Sequence, residues 1–250
     1  MAGHSKWATI KRKKGALDAK RGVMFTKVIR EITVAAKEGG EDIDANPRLR
    51  TAVNKAKAVN MPNDNIERAI KKGAGTLDGV SYEEIRYEGY GPGGVAIMVD
   101  CLTDNKNRTT PEIKIIFSKN GGNLGDPGSV SYMFDKKGMI IVDGNQTTED
   151  DLMDKLMDFD IEDIKTENES IVITTSPEGF NDVSDFMGTT GFTLSMDQIT
   201  LIAKVTVPVD EKKAAQCLKI IELLEEQEDS QDVYFNADIS DEIMAKLSEG

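Results

Sequence analysis

The spacing of apolar residues changes near residue 80, from helical to strand-like, and that change restricts the folds open to this chain. Before it, apolar side chains recur at three- and four-residue steps, the period of a helix; after it they follow the shorter period of strands. Between Asp18 and Lys37, Phe25, Val28, Ile29, Ile32 and Ala36 fall in one sector of a helix turning about 100° per residue, and Lys20, Lys27, Arg30 and Lys37 fall roughly opposite. The spacing predicts a helix there, ended by Gly39-Gly40. Asn46-Pro47 supplies a cap and an N1 proline for a second helix, and Pro62 opens a short third one with Ile66 and Ile70 inward.

Beyond Tyr82, runs at 84–90 and 95–102 flank Gly91-Pro92-Gly93-Gly94 and are expected to pair as a hairpin. Thr110-Pro111-Glu112 predicts a helix start, and runs at 129–134 and 139–142 predict a second hairpin turning at Lys136-Lys137-Gly138. An acidic helix after Thr147 or Thr148, a strand at 170–175, a helix at 180–187, strands at 192–195 and 199–207, a helix at 211–224 and a closing strand at 232–236 complete the pattern. Strands and helices mixed in this way predict an α+β fold, each layer a sheet with helices on one face. At 250 residues, two or three small domains are expected.

Charge is segregated along the same boundary. Residues 1–75 carry 17 basic and 8 acidic side chains, a net of +9, whereas the remaining 175 carry 14 and 36, a net of −22. That asymmetry points to a polyanion held by the N-terminal part; the alternative is that this part docks on the acidic remainder of the same chain. No stretch approaches the roughly 18 apolar residues of a membrane helix, and the opening Met-Ala-Gly-His-Ser-Lys-Trp lacks the apolar core of a secretory signal. Two cysteines and one histidine exclude a disulfide framework and a Cys-rich zinc site, so a cytoplasmic location without a metal or other cofactor is expected.

His4-Ser5-Lys6-Trp7 followed by Lys11-Arg12-Lys13-Lys14 interleaves one aromatic ring with a run of cations. Lys and Arg neutralise phosphates and a Trp ring stacks on a base. Phosphate contacts are therefore expected from Lys6, Lys11, Arg12, Lys13, Lys14, Lys20, Arg21, Lys27 and Arg30, with Trp7 stacking. This requires their charged tips to be exposed to solvent. A solvated arm is the plainer reading of residues 1–14. Asn105 and Arg108 lie between a strand and a helix start, where either an anion or loop capping would suit them. Gly91-Pro92-Gly93-Gly94 lacks the Gly-Lys-Ser/Thr ending of a phosphate loop and reads as a turn. The carboxylates at 149–163 and 225–229 read as a solvated face; a metal-dependent enzyme built on them would need them to converge in a pocket.

Gly3-His4-Ser5-Lys6-Trp7, Arg21-Gly22, Arg30-Glu31-Ile32, Asn60-Met61-Pro62, Tyr87-Glu88-Gly89-Tyr90-Gly91-Pro92-Gly93-Gly94, Thr103-Asp104-Asn105, Asn107-Arg108-Thr109 and Gly121-Gly122-Asn123-Leu124-Gly125 resemble the YebC/PmpR family of bacterial proteins described as probable transcriptional regulators. The resemblance spans essentially the whole chain, more loosely in its last third. It implies a non-enzymatic cytoplasmic protein with an all-helical N-terminal domain (1–79) and two ferredoxin-like α+β domains, one at 80–133 plus 206–238 and a third domain, acidic, at 134–205 inserted in it. Family members are described as DNA-binding regulators, while a mitochondrial translational activator of cytochrome c oxidase and ribosome-linked relief of proline-rich synthesis are also attributed to the family. Duplex DNA is the expected partner, with ribosomal RNA and the ribosome as the rival; neither a membrane nor a small-molecule substrate is expected.

Overall fold

The computed structural model describes residues 17–75, 81–167 and 169–249, with side chains described between residues 22 and 247 of those ranges. Three helices come first: α1 (Leu17–Gly39), α2 (Pro47–Ala58) and α3 (Asn63–Gly73). Ile32, Ala35 and Ala36 of α1 meet Leu49, Ala52, Val53 and Ala56 of α2 and Ile66, Ala69 and Ile70 of α3 in one buried cluster. Phe25, Val28 and Ile29 pack at its margin. The buried Asn46 joins the first two helices: its side-chain oxygen accepts from the Leu49 N–H at 3.0 Å, and its amide donates to the carbonyls of Ala35 (2.8 Å) and Gly40 (2.9 Å). One residue thus caps α2 and satisfies the end of α1.

The chain continues through β1 (Glu83–Tyr90), β2 (Ala96–Thr103), α4 (Lys106–Lys119) and β3 (Asn123–Leu124). An insertion follows, comprising β4 (Phe134–Asp143), α5 (Glu149–Lys155), β5 (Ile161–Glu167), β6 (Ser170–Thr175), α6 (Phe180–Thr189) and β7 (Leu194–Ala203). The chain then returns with β8 (Val207–Pro208), α7 (Glu211–Glu226), β9 (Ser230–Phe235), β10 (Ala237–Asp238) and α8 (Asp241–Glu249). Two compact units result: the described residues up to 132 with those from 205 onward, and residues 133–204.

In the first unit the sheet order is β3-β1-β2-β9, antiparallel throughout. Val95, Ile97, Val99 and Cys101 form its core with Ile113 and Phe117 of α4 and with Ala214, Cys217, Leu218 and Ile221 of α7. Successive side chains point to opposite sides of a sheet, and β2 is covered on both, since Ala96, Met98 and Leu102 on its other face are buried too. The second unit runs strand-helix-strand-strand-helix-strand with sheet order β5-β6-β4-β7, the ferredoxin-like arrangement. Its core joins Ile140 and Val142 to Leu152 and Leu156, and to Val183 and Met187 of α6.

Two local expectations are corrected. Residues 134–143 form one continuous strand, and Lys136, Lys137 and Gly138 pair with Leu201, Thr200 and Ile199 rather than turning. Gly138 is there for clearance: a Cβ would lie 2.2 Å from Thr175 Oγ1 and 2.6 Å from the Phe180 ring. Helix α4 starts at Lys106 rather than Thr110, capped by Asn105, with Pro111 inside it. The strand β5 carries three acidic side chains, Glu162, Asp163 and Glu167, and one basic, Lys165, so its period is hidden within the acidic run.

Candidate nucleic-acid interface

Helix α1 buries one side in the helical core; of the described cations opposite that side, Arg30 is buried, Lys27 half-buried and Lys37 exposed. The C-terminal end of α7 leaves carbonyls without helical partners, an electronegative site that attracts cations. Lys27 Nζ donates to the Glu225 carbonyl at 2.7 Å. One turn later, Arg30 Nη1 donates to the Glu228 carbonyl at 2.6 Å and to Asp229 Oδ1 at 2.5 Å. The Arg30 guanidinium also lies 5.7 Å from the centre of the Tyr82 ring. Arg30 is 7% exposed and Asp229 0%. Lys37 Nζ donates to Ser81 Oγ at 2.8 Å.

Asp229, expected on a solvated acidic face, is instead the centre of a buried network. It accepts from Thr109 Oγ1 at 2.7 Å, from Arg108 Nη2 at 2.9 and 3.1 Å, and from Gln227 Nε2 at 3.2 Å. Burial pushes its carboxyl upward, but the hydrogen bonds from Thr109, Arg108 and Gln227 and the charge of Arg30 outweigh burial and hold it below the usual carboxylate range. Arg30 and Lys27 both seat α1 on the end of α7, Arg30 buried and Lys27 half-buried.

The loop before α4 is also occupied by its own chain. Asn105 Oδ1 accepts from the Arg108 N–H at 3.2 Å, and Arg108 Nη2 is held by Asp104 at 2.9 Å as well as by Asp229. Asn105 caps the helix, and the Arg108 side chain, 42% exposed, pairs with two carboxylates. Lys6, Trp7, Lys11, Arg12, Lys13 and Lys14 lie outside the described residues. Lys20 and Arg21 fall near the start of α1, and their side chains also lie outside the described set.

Among the described residues of the helical region, the exposed cations are Lys37 on α1 and those along α2 and α3. Arg48 is the exception, since it pairs with Glu31 (2.9 Å), Glu38 (2.6 Å) and Glu84 (2.5 Å) and so ties α2 to α1 and β1. Desolvation would lower its pKa, but those carboxylates raise it overall. Arg50, Lys55 and Lys57 on α2 and Arg68, Lys71 and Lys72 on α3 are exposed. Their signal was present in the sequence as cations spaced opposite the apolar positions of both helices. Among the described residues, no group of three His, Cys, Asp or Glu side chains is placed to hold a metal, and no helix is long and apolar enough to cross a membrane.

Comparison with known proteins covers nearly the whole chain. Residues 5–76 match the family model described as the TACO1/YebC protein N-terminal domain, and residues 82–237 match that of the TACO1/YebC second and third domain. A protein of Desulforapulum autotrophicum named "Probable transcriptional regulatory protein" is 54% identical over 243 residues, 97% of this chain and 98% of its own. One of the same name from Geobacter sulfurreducens is 53% identical over 247 residues, 99% and 100% of the two chains. The crystal structure of a conserved hypothetical protein from Aquifex aeolicus superposes with a TM-score of 0.81 at 47% identity, covering 91% of this chain and 94% of that one. With both family models matched in order along one α+β chain, this protein belongs to the TACO1/YebC family.

Proposed function

We propose that this protein is a cytoplasmic regulator of gene expression that binds nucleic acid, duplex DNA foremost, through its helical N-terminal region. Residues 1–79, 80–133 with 206–238, and 134–205 would be its three domains. The observation that carries this is the separation of charge: net +9 over residues 1–75 against −22 over the rest. A chain of overall −13 is repelled by a polyphosphate unless its cations are gathered in one region, as they are here. The curated relatives named as transcriptional regulators support the same reading.

The test is a salt titration of the full chain with duplex DNA. With about six phosphates neutralised, log affinity falls against log salt with a slope near −5. Charge reversal at Lys11, Arg12 and Lys14 together is expected to abolish binding while the thermal melt stays unchanged. A flat salt dependence rejects the proposal. Tighter binding to a structured RNA than to DNA at matched salt would reassign the partner.

A further inference from the structure

Among the described residues, the cations of the helical region differ in what holds them. Lys27, Arg30 and Arg48 are engaged by carbonyls and carboxylates of the same chain. The same holds for other cations of this unit: Arg86 pairs with Asp100, Arg108 with Asp104 and Asp229, Lys213 with Asp210, and Lys219 with Glu222. By contrast, Arg50, Lys57, Arg68 and Lys72 are exposed and make no ion pair among the described residues.

Their placement is regular. On α3 the core positions are Ile66, Ala69 and Ile70, and Arg68, Lys71 and Lys72 follow an i, i+3, i+4 spacing. At about 100° per residue, that triad points about 160° away from the core direction. On α2, whose core positions are Leu49, Ala52, Val53 and Ala56, Arg50 and Lys57 flank Asn54 at i, i+7 and i+4 and share one side. Helix α2 contains no carboxylate at all. Both helices are anchored on α1, α3 closely enough that a Cβ on Gly73 would lie 2.2 Å from the Thr33 carbonyl. Cations on packed helices have fixed positions and lose less freedom on binding than cations on an arm.

We propose that the outward stripes of α3 (Arg68, Lys71, Lys72) and α2 (Arg50, Asn54, Lys57) are a sugar–phosphate-binding surface, in place of Lys27 and Arg30 of α1, which the chain itself engages. This rests on the nucleic-acid-binding function proposed above and assigns its residues. Such contacts position a strand without reading bases, so affinity through this surface is independent of sequence and steeply dependent on salt.

The experiment measures full-chain binding to a duplex DNA across salt for wild type, R68E/K72E, R50E/K57E and K114E, the last reversing an exposed cation on α4. Each stripe variant is expected to lower affinity at least tenfold near 0.1 M salt and to flatten the slope by about 2, with K114E unchanged. R68Q/K72Q, which removes charge without adding any, is expected to give a smaller loss in the same direction and covers the case in which reversal impairs folding. Wild-type affinity and slope in both stripe variants, against a steep wild-type slope, overturn this surface and leave the function standing. An equal loss in K114E also overturns it, since net charge alone would then explain the effect. A flat wild-type slope overturns the function and the surface together.

Discussion

Removing the Asp229 carboxylate would leave Arg30 and Arg108 without the anion they share, one of them buried. Breaking a buried pair by deleting one partner costs about 3–5 kcal/mol, so D229A is expected to lower unfolding stability by that amount in urea. Thr109 would lose one of its hydrogen-bond partners at the same time. The pH dependence has a definite sign. Asp229 and Glu88 both titrate below their ordinary values in the fold, Glu88 because the N–H groups of Val130, Gly128 and Ser131 outweigh its burial. A depressed carboxylate contributes stability above its unfolded value of about 4 and loses it as pH falls through the folded value. Acid unfolding monitored by circular dichroism is therefore expected below about pH 4, with a shallower acid limb in D229N. At the other end of the scale, burial pushes the Cys101 thiol up to about 12 and the Cys217 thiol up to about 11. Neither is expected to react with a thiol reagent at pH 8 until the chain is unfolded, which a colorimetric thiol assay checks.

Among the elements, the close crossing of α3 on α1 depends on Gly73. A Cβ there would meet a backbone oxygen and the Ala36 Cβ at 2.8 Å, neither of which moves without shifting a helix. G73A is expected to destabilise by about 1–3 kcal/mol despite its better helix propensity, measured as the shift in the urea midpoint. G138A is expected to fall in the same range, because its Cβ would strike Thr175 and Phe180 across the sheet. These two glycines also show what was legible. The helices α1 to α3 were readable because apolar periodicity and the Asn46-Pro47 start are local signals. Gly138 beside two lysines has the composition of a turn, and only the Phe180 ring packed over it reveals a strand. The sequence misplaces the α4 start for a similar reason: Pro111 suits a first turn, but an earlier start is stabilised by the Asn105 cap, five residues upstream of Thr110, and by Asp229, distant in sequence.

On the scale of the molecule, the insertion leaves and rejoins the chain at one place: the Lys204 N–H donates to the Met133 carbonyl at 2.9 Å. Excising residues 133–204 and joining Tyr132 to Val205 through a short glycine linker is expected to leave the first unit folded, as judged by a single cooperative melt and retained helical circular dichroism. Its core, with Val99, Phe117, Ile221 and Phe235, contains none of the excised residues. The sequence by itself determined the helix-to-strand boundary near residue 80, the family, and the gathering of positive charge in the first 75 residues. These are local or additive properties, readable from spacing and counting. Only the tertiary structure decided which cations remain exposed. Whether Arg30 or Arg68 meets water depends on what packs against the second side of its helix, and for Arg30 that partner is Asp229, 199 residues further along the chain.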